Sequence, residues 1–386
     1  MLSLTIKRKI MVSAWRQGLC AASLLLSAAC PPVNTPDAGE GGDGDGGAVV
    51  SRSDFLRAAG ECSRQNVTSF RTQAEAFAAA PTQETWRSAM RAWSRLEPMQ
   101  FGPTALSITP GGQDLREHIY SWPLVSRCDI DGVLKAGSYS GGVSRLLINR
   151  RGLWAAEYLL FSNPDEVCAP TAEWNALSTE ERAARKQAYA QAVADDVAVR
   201  ARTLDDAWSG FAETLATAGS GNATYPTVQG ALNRVSDAVF YVEREVKDIK
   251  LATPLGLRDC AAPPCLDKLE SQFAAFNTEH LAANLQGARQ LLEGCDDETF
   301  AGVGFDDLLV AQGAGELARS FRTNAAAAQA SLDALNGADL SVALVDSPEA
   351  ARAVYDAFKG VTDLLKSEFV TVLDLDLPMG LEGDND

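Results

Sequence analysis

Apolar residues along most of this chain recur at steps of three, four and seven, the period of a helix buried on one face. The plainest stripe runs through Tyr189, Val193, Val197, Leu204, Trp208, Phe211 and Leu215 and ends near Gly219. It opens with Ser178-Thr179-Glu180-Glu181, a capping box in which Glu181 lies three residues after the Ser178 cap. Ser51 and Ser53 are N-cap candidates for a helix to about Ala80, and Thr82 for a second one carrying Trp86, Met90 and Trp93. Gly102-Pro103, Pro110-Gly111-Gly112 and Trp122-Pro123 then break the chain. After Gly141-Gly142 an apolar segment passes through Leu147, Ile148, Trp154, Leu159 and Phe161. Farther on the pattern predicts helices over 228–251, 265–292 and 305–335, stopped by Pro254, by Gly294 and after Leu335. Ser347-Pro348-Glu349 opens the last one, with Val354, Phe358, Val361, Leu365 and Val372 inward. No segment alternates apolar and polar residues for long, so the expected fold is all-α. Long helices with one stripe each bury it by packing as bundles.

The first thirty residues read differently. Lys7-Arg8-Lys9 precede a short apolar run from Leu19 to Ala29, too short to span a bilayer and suited to a signal peptide. The run ends in Leu26-Ser27-Ala28-Ala29-Cys30, similar to a lipoprotein cleavage site although the leucine sits one position too far from the cysteine. Cleavage with lipidation of Cys30 and ordinary cleavage with an unmodified Cys30 are both open, as is a start at Met11. Residues 31–47, rich in Pro, Gly and Asp, cannot bury a core and read as a tether. The layout is therefore a signal peptide (1–29), a lipidated cysteine and tether (30–50), and two helical halves (51–225 and 226–386). Pro31 rather than Asp after the cysteine favours the outer membrane. The expectation is a protein of the bacterial cell envelope, anchored through lipid and not spanning the membrane.

At 386 residues and a formal net charge of -17, the chain is acidic, and loss of the basic leader makes it more so. Such a surface repels nucleic acid and raises the local concentration of cations. Cys62, Cys128, Cys168, Cys260, Cys265 and Cys295 follow the leader, an even set in an exported chain, so disulfides are expected with the pairing open. No CxxC occurs and His118 and His280 are the only histidines, which leaves little for a histidine-built zinc site. Neither HExxH nor GxSxG occurs.

Two short patterns suggest an internal duplication. Trp122-Pro123-Leu124 precedes Gly152-Leu-Trp154-Ala-Ala-Glu157, and Thr253-Pro254-Leu255 precedes Gly302-Val-Gly304-Phe-Asp306-Asp307. Each places a carboxylate five residues after its first glycine.

At these residues the chain resembles the imelysin family, bacterial envelope proteins first described as peptidases and often linked to iron. Phe101-Gly-Pro103, Ile119-Tyr-Ser-Trp-Pro123 and Gly152–Phe161 carry the resemblance in the first half. Lys250-Leu-Ala-Thr-Pro-Leu-Gly256, Asn284-Leu-Gln-Gly-Ala-Arg289, Gly302–Leu309 and Leu377–Asp384 continue it in family order. The resemblance implies two helical bundles with a pocket at their junction, where the family's Gly-x-His-x-x-Glu motif lies. Here Gly152 and Glu157 match while Trp154 stands where the histidine belongs, and an indole offers a metal no lone pair. Arg116, Trp122, Trp154, Glu157, Asp306 and Asp307 are the candidates to line the pocket, with Gly152, Gly302 and Gly304 shaping it. Glu157 is open to two readings, a pocket carboxylate or a helix acid paired with Arg116, Arg150 or Arg151. His118 is open as a replacement imidazole or a surface group, and His280 reads as structural or exposed. An iron or divalent ion and an envelope protein are the candidate partners. The expected function is a binding or accessory protein in metal acquisition; the alternatives are a peptidase and an interaction scaffold.

Overall fold

In the computed structural model, residues 49–378 are described, so the leader, Cys30 and most of the tether lie outside them. Helices follow one another with no strand among the described residues. The first two, α1 (Arg52–Ala79) and α2 (Gln83–Leu96), start where side chains satisfy the free N–H groups of a first turn. Ser51 and Thr82 each form a reciprocal cap with the residue three positions on. Short pieces follow: α3 (Leu115–Ile119), α4 (Arg127–Ala136), α5 (Gly152–Phe161) and α6 (Ala172–Asn175). The Ser178 capping box opens the longest helix, α7 (Thr179–Ala216).

Three of the later expectations change in detail. The 228–251 helix is α-helical only as α8 (Val228–Val239) and then winds more widely as a π-helix over Val242–Ala252, running into α9 (Thr253–Leu255). The 265–292 helix begins only at Asn277, as α10 (Asn277–Leu292), because the chain before it is a loop that carries the Cys260–Cys265 disulfide and gives the donors of Ser271, Phe273 and Ala274 to Glu157. The 305–335 helix is split at Gly313, whose φ of +79° turns the chain between α11 (Phe305–Ala311) and α12 (Gly315–Asp333). The end is α13 (Leu340–Asp346), α14 (Pro348–Leu364), a second π stretch (Leu365–Phe369) and α15 (Val370–Val372).

The helices share a single connected core. Within it α1 lies along α7 and α2, α5 packs on α7, and α12 packs on α14. The two sequence halves meet directly where α10 crosses α2. That crossing needs a glycine, since a Cβ on Gly287 would stand 1.9 Å from the Arg95 carbonyl oxygen. Cys62–Cys295 ties α1 to the loop after α10, Cys128–Cys168 ties α4 to the segment after α5, and the six cysteines are thus all paired. No helix among the described residues is long and apolar enough to cross a membrane.

Candidate functional site

Gly152 opens α5 at φ +82°, and a Cβ there would lie 2.6 Å from the Ile119 carbonyl oxygen, so only glycine lets α5 sit against the 119–123 break. Three residues apart on that helix, Trp154 and Glu157 share a face and reach the same partner, the segment 270–274 that leads into α10. The Trp154 indole N–H donates to the Glu270 backbone oxygen at 3.0 Å, and its ring stands edge-on to Phe273. Glu157 Oε1 accepts from Ser271 Oγ at 2.9 Å, the Phe273 N–H at 2.9 Å and the Ala274 N–H at 3.1 Å. Its Oε2 is buried without a partner. Complete burial outweighs those hydrogen bonds and lifts the Glu157 carboxyl to about 7, with Glu270 adding to the rise.

The arginines considered for Glu157 are engaged elsewhere: Arg116 with Glu117 at 2.7 Å, Arg150 with Asp129 at 3.1 Å and Arg151 with Asp196 at 3.1 Å. Glu157 therefore fastens a loop through backbone N–H groups.

Beside this contact lies a buried charged group that the sequence patterns did not bring together, although Lys250 and Asn284 each open one of the family stretches. Lys250, on the π-helix, places its ammonium 2.9 Å from Glu97 Oε2, 3.0 Å from Glu270 Oε2 and 2.8 Å from Asn284 Oδ1. Burial opposes its charge, but Glu270 and Glu97 prevail and hold the ammonium above its ordinary pKa. Asn284 also donates to Glu97 Oε2 at 2.9 Å, and Tyr120 donates to Glu270 Oε1 at 2.8 Å. The rings of Trp122 and Tyr241 face the ammonium at 5.8 Å and 5.2 Å. Arg116 borders the group, donating to the Trp122 backbone oxygen at 3.0 Å. Against burial, Tyr241, Glu117 and Glu97 hold the Arg116 guanidinium above its usual pKa. One neighbourhood thus gathers Arg116, Trp122, Trp154 and Glu157.

Asp306 and Asp307 serve other ends. Buried Asp306 receives the Arg322 guanidinium, with Nε at 2.9 Å, and Asp307 accepts the Gly304 N–H at 3.0 Å as a helix cap. Phe305 beside them packs on Phe55 and Phe369. The hydrogen bonds and ion pairs of Trp154, Glu157 and Arg116 go to residues 117, 122 and 270–274, and none goes to 302–307. Gly302, at φ +120°, belongs to the turn before α11.

His118 is half-buried and its Nδ1 meets Arg151 at 2.5 Å; burial, then Arg151, lower its pKa. His280, fully buried in α10, pairs Nδ1 with Ser94 Oγ at 2.8 Å and lies 3.7 Å from Glu270 Oε2. Burial, then Lys250, push its pKa down to about 3, so the imidazole is neutral, and its Nε2 has no partner. Of the group around the Lys250 ammonium, Glu97, directly after the apolar face of α2, and Glu270 stand outside every motif quoted from the sequence.

A family model for imelysin matches residues 58–367. The chain belongs to the imelysin family. Among solved structures, an imelysin-like protein from Psychrobacter arcticum 273-4 superposes with a TM-score of 0.59 at 17% identity, covering 85% of this chain and 94% of that one. A protein described as an iron-regulated protein A precursor, from Parabacteroides distasonis ATCC 8503, gives the same score and identity over 84% and 97%. At that identity the likeness is one of fold. No curated protein matches the chain.

An iron or other metal ion, as the imelysin family suggests, finds a poor donor set around Trp154 and Glu157. The indole supplies a proton and no lone pair, Glu157 has only its Oε2 left without a partner, and Glu97 and Glu270 are ion-paired to Lys250. No group of three or more His, Cys, Asp or Glu side chains arranged to hold a metal occurs among the described residues.

Proposed function

We propose that this imelysin-family chain is a lipid-anchored accessory protein of the bacterial cell envelope, attached through Cys30, that serves iron or other metal acquisition by binding and not by peptide hydrolysis. The observation that carries the reading is the ammonium of Lys250 between Glu97 and Glu270, next to Trp154. The acids that could hold a hydrolytic metal are neutralised from within, and Trp154, at the position of the family's histidine, supplies no ligand. Metal-assisted hydrolysis needs about three protein ligands and an open position for water. The acidic composition, which enriches cations near the surface, and the fold neighbour described as iron-regulated support a role in metal acquisition.

The purified chain should leave unfolded casein intact with or without added zinc or iron. Chelator-sensitive cleavage that disappears in Glu157→Gln would establish a peptidase instead. In cells, a fatty-acid analogue should label the wild type and not Cys30→Ala, and equal labelling would remove the anchor. Loss of the gene should slow growth under iron limitation; unchanged growth would remove the acquisition role.

A further inference from the structure

Glu97, Glu270 and Asn284 come from three separate stretches, the turn after α2, the 270–274 segment and α10, yet their oxygens meet at one point. Two anionic oxygens and one amide oxygen are a hard donor set, the kind chosen by Ca²⁺, Mg²⁺ or Mn²⁺ over softer, imidazole-seeking metals. All three side chains and Lys250 are essentially buried. The ammonium fills the point, donating to Glu97 Oε2 and Asn284 Oδ1 and standing 3.0 Å from Glu270 Oε2 as an ion pair. Glu97 Oε1 is left buried and without a partner. A divalent ion could take both oxygens of Glu97 at once, as bidentate carboxylates do in calcium sites. It would also balance the two carboxylates, where the single charge of lysine leaves one negative charge over.

We propose that Glu97, Glu270 and Asn284 form an oxygen site for a hard divalent cation of the Ca²⁺ or Mn²⁺ class, which the Lys250 ammonium occupies from within the chain. The wild type then needs no ion to hold these three stretches together. Shortening Lys250 uncovers the oxygens and leaves the room of its side chain for an ion with water in its remaining positions. The inference shares the Lys250 ion pairs with the function proposed above, and its binding test is read separately from the peptidase, labelling and growth tests.

Calorimetry with CaCl₂ and with MnCl₂ on the full-length chain tests this. The wild type should give no binding heat, and Lys250→Ala should bind one ion with a Kd on the order of 0.1–1 mM, the range of weak extracellular calcium modules. Adding Glu97→Gln and Asn284→Leu should abolish that binding. Where Lys250→Ala is too unstable to titrate, circular dichroism replaces calorimetry: Ca²⁺ or Mn²⁺ should restore its helical signal or raise its melting temperature, and should leave the triple variant unchanged. A folded Lys250→Ala that binds neither ion overturns the proposal. So does an unfolded one that neither ion rescues, binding that survives in the triple variant, or equal binding by the wild type.

Discussion

Trp154 and Glu270 are joined by a single buried hydrogen bond, indole N–H to backbone oxygen at 3.0 Å, and that bond seats α5 on the segment whose own carboxylate holds Lys250. The tryptophan thus does two jobs at once, filling space against Phe273 and satisfying a carbonyl that water does not reach.

Replacing Trp154 separates the two jobs. Trp154→Phe should keep most of the packing and cost about 1–3 kcal/mol for the unsatisfied carbonyl, whereas Trp154→Ala should cost about 3–5 kcal/mol through the cavity it leaves. Trp154→His should fall between them. Urea denaturation of the three variants checks the order, and equal losses for Phe and Ala would show that the ring contributes little.

Glu157 predicts a pH dependence of definite sign. Its carboxyl is raised to about 7 in the folded chain from an ordinary value of 4.5, so the folded state holds the proton more tightly than the unfolded one. Between about pH 4.5 and 7 the folded chain therefore binds more protons, and stability must fall as pH rises through that window. His280 acts oppositely. Its folded value of about 3 lies below the ordinary value of 6.5, so its contribution is present above about 6.5 and is lost as pH falls toward 3. Glu157→Gln keeps the acceptor oxygen for Ser271, Phe273 and Ala274 and cannot ionise. Its melting temperature relative to the wild type should climb from pH 5 to pH 8, with an underlying difference of a few kcal/mol. A difference that is constant across that range would mean Glu157 does not titrate there.

Helix starts are legible where a side chain makes them, as at Ser51, Thr82 and Ser178, because a cap is a local event written in four residues. The all-α fold is legible for a similar reason, since each stripe repeats within its own helix. Helix interiors are less so. Nothing in 228–251 marks the change to π winding after Tyr241, and the loop before Asn277 is set by Cys260–Cys265 and by Glu157 drawing in Phe273 and Ala274 from far along the chain. At the site, Gly152, Trp154 and Glu157 could be picked out as a motif, and Arg116 and Trp122 as neighbours. Lys250, Glu97, Glu270 and Asn284 come from positions between 14 and 187 residues apart, with Glu97–Asn284 the widest pair, and no spacing rule joins them. Asp306 and Asp307 were suggested by likeness of pattern, yet at a helix start acids already have work as caps and ion-pair partners.

The disulfides should rank by the length of chain they close. Cys62–Cys295 spans 233 residues, Cys128–Cys168 spans 40 and Cys260–Cys265 spans 5. Chain entropy gives roughly 5, 4 and 2 kcal/mol for such loops. Paired alanine substitutions measured by thermal denaturation should follow that order, and a largest loss at Cys260–Cys265 would show that the 256–276 loop governs the fold more than loop closure does.

Lys250 is expected to matter more for the charges it cancels than for the bonds it makes. Removing one member of a buried ion pair typically costs about 3–5 kcal/mol, because the partner is left charged in a poor solvent for charge, while replacing the whole set by neutral groups is often close to harmless. Lys250→Met in chelator-treated buffer leaves Glu97 and Glu270 unbalanced in the core and should lose that amount or more. Adding Glu97→Gln and Glu270→Gln removes both charges while each glutamine keeps an oxygen to accept from Asn284 or Tyr120. The triple variant should therefore recover most of the lost stability in urea denaturation. If it remains as unstable as Lys250→Met, the lysine acts through packing against Trp122 and Tyr241, and the two acids are not what its charge is there to balance.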